Sequence, residues 1–275
     1  MRHIALANPM PSGVPLNRGW TILHVTLIQV AALILPFLAA LGTRGPGVLV
    51  AGGTAIATAL VWEAAFARAR QRAVTVHGLT TGLIVAVMAP AAAEPWQIAL
   101  AVSFGAVIAE LAFGGRGFGF VNAGLAALAF LLFSFPGLTP GGASVAVAVA
   151  ALPGGAALVM TGLVSWRILL ATALGLMAVA GAGGMAPDPA LTAAALVFPV
   201  VFLVADPLGA AVTNPGRIAH GLLAGGLVAL FTGSGNTAPD PGHIVFAALI
   251  ASIFAPLLDE IAIRTLATLR ERRHG

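Results

Sequence analysis

The sequence predicts an all-α integral membrane protein of about ten transmembrane helices, on three observations: its composition, the spacing of its apolar runs and the placing of its arginines. Of 275 residues, 59% are hydrophobic and only 8% charged, far too apolar for a chain that must solvate itself in water. A spanning helix needs about 20 mostly apolar residues. Runs of that order recur along the chain, separated by short Gly, Pro, Arg and Asp clusters, and little is left over for a soluble domain.

Read against the breakers, the helices fall at 20–42, 47–69, 78–90, 96–113, 120–136, 144–164, 166–184, 190–205, 218–231 and 243–266. Trp20, Trp96 and Trp166 open the first, fourth and seventh, as interfacial Trp does at a membrane boundary. The third and eighth are short and end at Ala89-Pro90 and Asp206-Pro207, where Pro removes a helix donor and clashes with the preceding turn. Pro256 is expected to break the tenth in the same way. Interrupted helices line protein-buried sites, because lipid cannot satisfy the freed backbone groups.

Ten spans put both termini on one side, and Arg270, Arg272 and Arg273 place that side in the cytoplasm by the positive-inside rule. All 13 basic residues are Arg. Arg2, Arg18, Arg68, Arg70, Arg72, Arg116, Arg167, Arg217 and Arg264 then fall on the same side, and Arg44 alone on the other. A pI near 11.5 is thus explained by topology and calls for no nucleic-acid partner. The polar segment 1–18 leads into an apolar run without a small-residue cleavage site, so it does not read as a removable signal peptide. A multi-pass protein of the bacterial inner membrane, surrounded by lipid, is expected.

Short segments three and eight occupy equivalent places in two sets of five. Five is odd, so the halves must have opposite orientation, the inverted-repeat plan in which broken helices meet at a central site. The expected organisation is a single membrane domain with repeat one over 20–136, repeat two over 144–266, and cytoplasmic tails 1–19 and 267–275. Phe133-Ser134-Phe135-Pro136 and Ser252-Ile253-Phe254-Ala255-Pro256 are a faint sequence echo of that symmetry.

With no cysteine, disulfides and thiolate-held metals are excluded. Any redox centre is then organic or His-held; the six His show no paired ligand spacing within a helix, so no metal site is expected. Carboxylates within spans are costly and mark functional sites by default. Glu63, Glu110, Asp206 and Asp259 are the candidates for an ion path. Three have a plainer reading: Glu63 with Arg68 and Glu110 with Arg116 as snorkelling pairs, Asp206 as the cap of the next turn.

Three stretches carry a resemblance. The first runs from His77 through Thr81-Gly82-Leu83, the Pro90 to Trp96 turn, Phe113-Gly114-Gly115-Arg116-Gly117 and Asn122 to Pro136. The second is Ser165-Trp166-Arg167-Ile168. The third joins Ala205-Asp206-Pro207, Thr213-Asn214-Pro215-Gly216-Arg217 and Ala255-Pro256-Leu257-Leu258-Asp259. In this order they resemble the NqrB/RnfD family, the membrane subunits of Nqr- and Rnf-type ion-translocating electron-transport complexes. The resemblance implies a urea-transporter-like inverted-repeat core, electron transfer through noncovalent flavin (riboflavin or FMN) or quinone, coupling to sodium or proton translocation, and partner subunits that supply the electron donor. The chain would itself be an electron-carrying or non-catalytic subunit of the oxidoreductase.

The sequence departs from that family where the resemblance places a covalent flavin. The long stretch carrying a Ser-Gly-Ala-Thr motif between helices five and six is missing, and Gly142-Ala143-Ser144 is its nearest remnant. Covalent FMN is therefore not expected, with Ser144 the one residue left that could carry it. The family's acidic residue before helix three is His77 here, which weakens the case for a hard cation. Cofactor contacts are expected from Gly114, Gly115, Asn122, Thr80, Thr81, Thr213 and Asn214. The alternative function is a small-solute or ion channel of the same fold without redox activity.

Overall fold

The protein is described from a computed structural model over residues 22–233, 236 and 238–274. Arg2, Arg18, Trp20 and the side chains of Arg270 to Arg273 lie outside the described residues. Among those described there is no strand, and ten α-helices follow one another: α1 (Ile22–Arg44), α2 (Gly47–Ala69), α3 (Gly78–Met88), α4 (Pro95–Phe104), α5 (Ala123–Ser134), α6 (Val145–Met160), α7 (Trp166–Ala182), α8 (Pro189–Pro199), α9 (Asn214–Thr232) and α10 (Pro241–His274). Two wider π-helical turns extend α4 through Gly105–Leu111 and α8 through Val200–Val204.

Three helices, within Ile22–Arg44, Gly47–Ala69 and Pro241–Leu266, are long and apolar enough to cross a membrane. Six others, π turns included, are apolar but only 10–17 residues long, and α9 has 19. At about 1.5 Å per residue, the 11 residues of α3 reach roughly half of a hydrocarbon layer about 30 Å thick. Such a helix must end inside protein, and α3 does so with nearly every residue buried. Large apolar side chains such as Val61, Phe133, Met160 and Met177 face outward instead, the reverse of a water-soluble surface. The molecule is a multi-pass membrane protein.

Two of the departures from the boundaries read in the sequence have a local cause. Thr213 caps α9 through its hydroxyl, accepting from the Gly216 amide, and Pro215 occupies the first turn, where a missing donor costs nothing; α9 therefore begins at Asn214 and not at Ile218. Pro256 does not break α10, which is helical throughout 241–274. The disturbance appears at Pro199 instead, where the ladder of α8 relaxes into the π turn, a known way of absorbing a lost donor.

α3 packs on α2, α1 and α5; α8 on α6 and α10; α1 on α6; α7 on α9; α9 on α10; α5 on α10. Close approach depends on glycine. A Cβ on Gly82 would lie 2.8 Å from the Ile56 backbone, and one on Gly225 would run into the Thr172 carbonyl oxygen. Small residues at these crossings let backbones meet where no hydrophobic effect drives helices together.

Candidate functional site

Buried polar groups gather where α2 ends, α3 begins and the two π turns end. Glu63, on α2, turns its carboxylate toward the entry of α3. Its Oε1 accepts from the amides of Thr75 (2.7 Å) and His77 (3.4 Å) and from the Thr75 hydroxyl, and its Oε2 accepts from the amide of Gly78 (3.0 Å). These are the orphan donors at a helix start, and a carboxylate there also opposes the positive end of the helix dipole.

Arg116 is the centre of the next layer. It is 6% exposed, so the snorkelling arginine expected from the sequence is a buried one. The Gly114, Gly115 and Gly117 positions, with φ of 127°, 95° and 95°, shape the turn that folds it inward; only glycine adopts such angles at no cost. Its Nη2 donates to Gln29 Oε1 on α1 at 2.8 Å, and its Nη1 donates to His77 Nε2. A guanidinium has no acceptor, so His77 Nε2 must offer a lone pair. Its proton is then on Nδ1, donated to Thr80 Oγ1 at 2.8 Å, while that hydroxyl donates to the His77 carbonyl at 2.8 Å. His77 is held neutral.

Glu110 stands in the π turn, a feature that recurs at functional sites. Its Oε2 lies 3.6 Å from His77 Nε2 and 4.0 Å from Arg116 Nη1, and no hydrogen bond from the described residues reaches it. On the far side of Gln29, Asp206 Oδ1 accepts from Gln29 Nε2 at 3.5 Å and Oδ2 from the Leu208 amide at 3.1 Å. Asp206 does cap the following turn, but it also ties the second half of the chain to Arg116 through Gln29.

Of the residues expected to bind a cofactor, Thr80 and Asn122 border, with His77 and Asp206, a cavity of about 10 Å³. Thr81, Glu63 and Glu110 border another of the same size. Each has room for about one water and none for a ring. Asn122 caps α5 through the amides of Gly124 and Leu125. Gly114 and Gly115 edge a hollow of about 150 Å³ that reaches Glu110. Thr213 and Asp259 belong to a separate network: Asp259 accepts from the Val212 amide (2.7 Å), the Thr213 amide (2.9 Å) and the Thr213 hydroxyl (2.6 Å), and Asn214, next in the chain, is exposed. Ser144 takes the N-cap position of α6, half-buried, without a capping hydrogen bond from its side chain. Glu63 makes no ion pair with Arg68, since both its oxygens are engaged at α3.

Sequence reasoning passed over Gln29, a lone amide within a span, and took Arg116 for a topology marker and a snorkelling partner of Glu110, and His77 for a departure. It also missed a hollow of about 260 Å³ lined by Val164, Ser165, Trp166, Arg167, Pro207 and Arg217, where the second and third resembling stretches converge. The Ser165 hydroxyl there is buried without a hydrogen-bond partner among the described residues.

Fold and site define a multi-pass membrane protein with a charged cluster buried among its helices. The chain belongs to the NQR2, RnfD, RnfE family, whose model matches residues 13–140 and 137–267. It is 28% identical over 269 residues to the B subunit of the Na(+)-translocating NADH-quinone reductase of Pseudomonas aeruginosa, with 78% of this chain and 66% of that one covered. The corresponding protein of Chromohalobacter salexigens is 28% identical over 266 residues (77% and 64% covered), and that of Klebsiella pneumoniae 28% over 271 (77% and 65%). The chain thus spans just under two thirds of the length of these relatives.

Proposed function

We propose that the chain is a membrane-embedded, electron-carrying subunit of an Nqr/Rnf-type complex, passing electrons by a noncovalent flavin or quinone and coupling them to ion movement. The observation that carries the reading is the family match along almost the whole chain, with a buried charged cluster in the part matched. The relatives are named as subunits of an NADH-quinone reductase, and this chain would likewise work with partner subunits in the bacterial inner membrane, both termini cytoplasmic.

The inverted repeat belongs to the same proposal, with repeats at about 20–136 and 144–266. Helix pairing supports it: α1 packs on α6 and α5 on α10, and the contacts of α2 with α4, α4 with α5, and α1 with α3 recur as α7 with α9, α9 with α10, and α6 with α8.

For the cofactor, the 260 Å³ hollow fits better than the expected Gly114–Gly115 loop. It approaches the lower end of small-molecule sites, about 300 Å³. Trp166 offers an aromatic face, Ser165 a free hydroxyl, and Arg167 and Arg217 cationic donors for a ring carbonyl. A flavin or quinone held there would supply the electron-accepting ring; the chain's residues would orient it and keep the opening narrow. Attachment at Ser144 does not belong to this proposal. The test is the visible spectrum of the purified protein. A yellow absorption bleached by dithionite, released on denaturation and diminished in Arg217→Ala, is expected. A colourless protein that passes solutes in proteoliposomes would replace the redox reading with that of a channel.

A further inference from the structure

Three carboxylates, Glu63, Glu110 and Asp206, surround one buried guanidinium, Arg116, and His77 between them is held neutral. We infer that Glu110 is a proton-exchanging carboxyl, and that the ion this cluster takes up is H+ and not an alkali cation; this deepens the ion-movement half of the function proposed above and rests on that reading.

What the cluster can bind depends first on which oxygens are free. Both oxygens of Glu63 accept hydrogen bonds from fixed donors at the start of α3, and both of Asp206 accept from Gln29 and Leu208. Asn122 Oδ1 is engaged by two amides. Glu63 Oε1, with three donors, and Asn122 Oδ1, with two, have no lone pair to spare and cannot turn to a cation without unmaking the start of α3 or of α5; Glu63 Oε2 and the two Asp206 oxygens are each held by one N–H. Glu110 Oε2 is different. It is buried, it has no hydrogen-bond partner among the described residues, and the side chain is 7% exposed.

Its neighbours decide what it can bind. From α2 it faces Glu63, from the entry of α3 His77, from the 112–122 loop Arg116, and across Gln29 Asp206. Arg70 and Arg72 stand at the rim, where their guanidinium groups donate to the carbonyls of Leu111, Ala112 and Gly114. Within 4.0 Å of Oε2 stand nitrogens of His77 and Arg116. A sodium ion requires a shell of oxygens, and at Oε2 it would meet a ring nitrogen and a guanidinium. A proton needs no such shell. It also removes one of three negative charges that a single buried cation must otherwise balance, which is how an uncompensated buried carboxyl resolves its cost.

The exchange is a plain proton transfer. A proton from solvent enters by the 150 Å³ hollow, which Glu110 and Arg116 line together with the rim arginines, an O–H bond forms at Glu110 Oε2, and release reverses the step. No electrons move and no co-reactant is needed.

The experiment is infrared spectroscopy of the purified chain in lipid nanodiscs, with and without 13C-labelled glutamate. In neutral buffer we expect a protonated-carboxyl C=O band that shifts with the glutamate label, bleaches on alkaline titration, disappears in Glu110→Gln, survives in Glu110→Asp at a shifted position without the label shift, and is unchanged when NaCl replaces choline chloride at equal ionic strength. No glutamate-type protonated band in the parent, one that persists in Glu110→Gln, or one that sodium abolishes, overturns the inference. Should both variants fail to fold, the labelled parent decides by the band's presence and its indifference to sodium. The flavin spectrum is read separately: a colourless protein with this band keeps the inference and loses the redox reading, and a yellow one with a sodium-sensitive band does the reverse.

Discussion

Glu63 and Asp259 sit on different helices and hold the same kind of bond, a carboxylate across the start of a neighbouring helix. Charge-assisted hydrogen bonds to backbone amides are the stronger kind, and neutralising the acceptor leaves buried donors poorly matched. Glu63→Gln should therefore cost about 1–3 kcal/mol, read as a fall in unfolding midpoint in detergent. Asp259→Asn, half-buried, should cost less, and should leave proton or sodium movement by the assembled complex unchanged; transport lost with normal assembly would return Asp259 to the ion path. Arg116 answers a different question. Arg116→Lys keeps the charge but not the fork that reaches Gln29 and His77 together, and a lower unfolding midpoint is expected; a variant as stable as the parent would show that the cluster is held by charge alone.

The ten helices were legible in the sequence because a span is written redundantly, in apolar length and in the breakers that bound it. Their interiors were less so. A π turn has no sequence signature, so nothing in Gly105–Leu111 announced that Glu110 would be rotated toward His77. Gln29 and Asp206 meet across 177 positions of chain, a pairing no local pattern encodes, and the aim of Arg116 depends on glycine angles that a Gly-rich string only hints at. The π turn can be tested as an element. Deleting Ile108, which faces outward, should convert it to regular α-helix and swing Glu110 by about 100°, one residue's turn; the variant is expected to fold and to lose hydrogen-exchange protection at the entry of α3. Gly225→Ala, whose Cβ would meet a backbone carbonyl and not a movable side chain, should destabilise α7–α9 by more than the roughly 1–3 kcal/mol typical of overpacking, with no rescue from trimming neighbours.

For the whole molecule the natural absence of cysteine makes topology a clean measurement. Single cysteines at Gln71, Thr139 and Asn236, all exposed, should divide by side, Gln71→Cys reacting only from the cytoplasm and the other two only from outside. Gln71 and Thr139 labelled from one face would end the inverted-repeat proposal.

α3 is gripped at both ends. Glu63 holds its entry through the Thr75, His77 and Gly78 amides and the Thr75 hydroxyl, and at its exit Arg44 donates to the carbonyls of Ala86, Val87 and Ala89 at 3.1, 2.6 and 3.0 Å. A slide of α3 by one helical turn, about 5.4 Å, would break both sets at once. The other short helix that the sequence marks as interrupted, α8, has an acidic cap at its start, Asp188, and among the described residues no guanidinium on the carbonyls at its end, and between α8 and α7 lies an apolar cleft of about 660 Å³. In mechanical terms α3 is a post pinned at both ends, against which α1, α2 and α5 are packed.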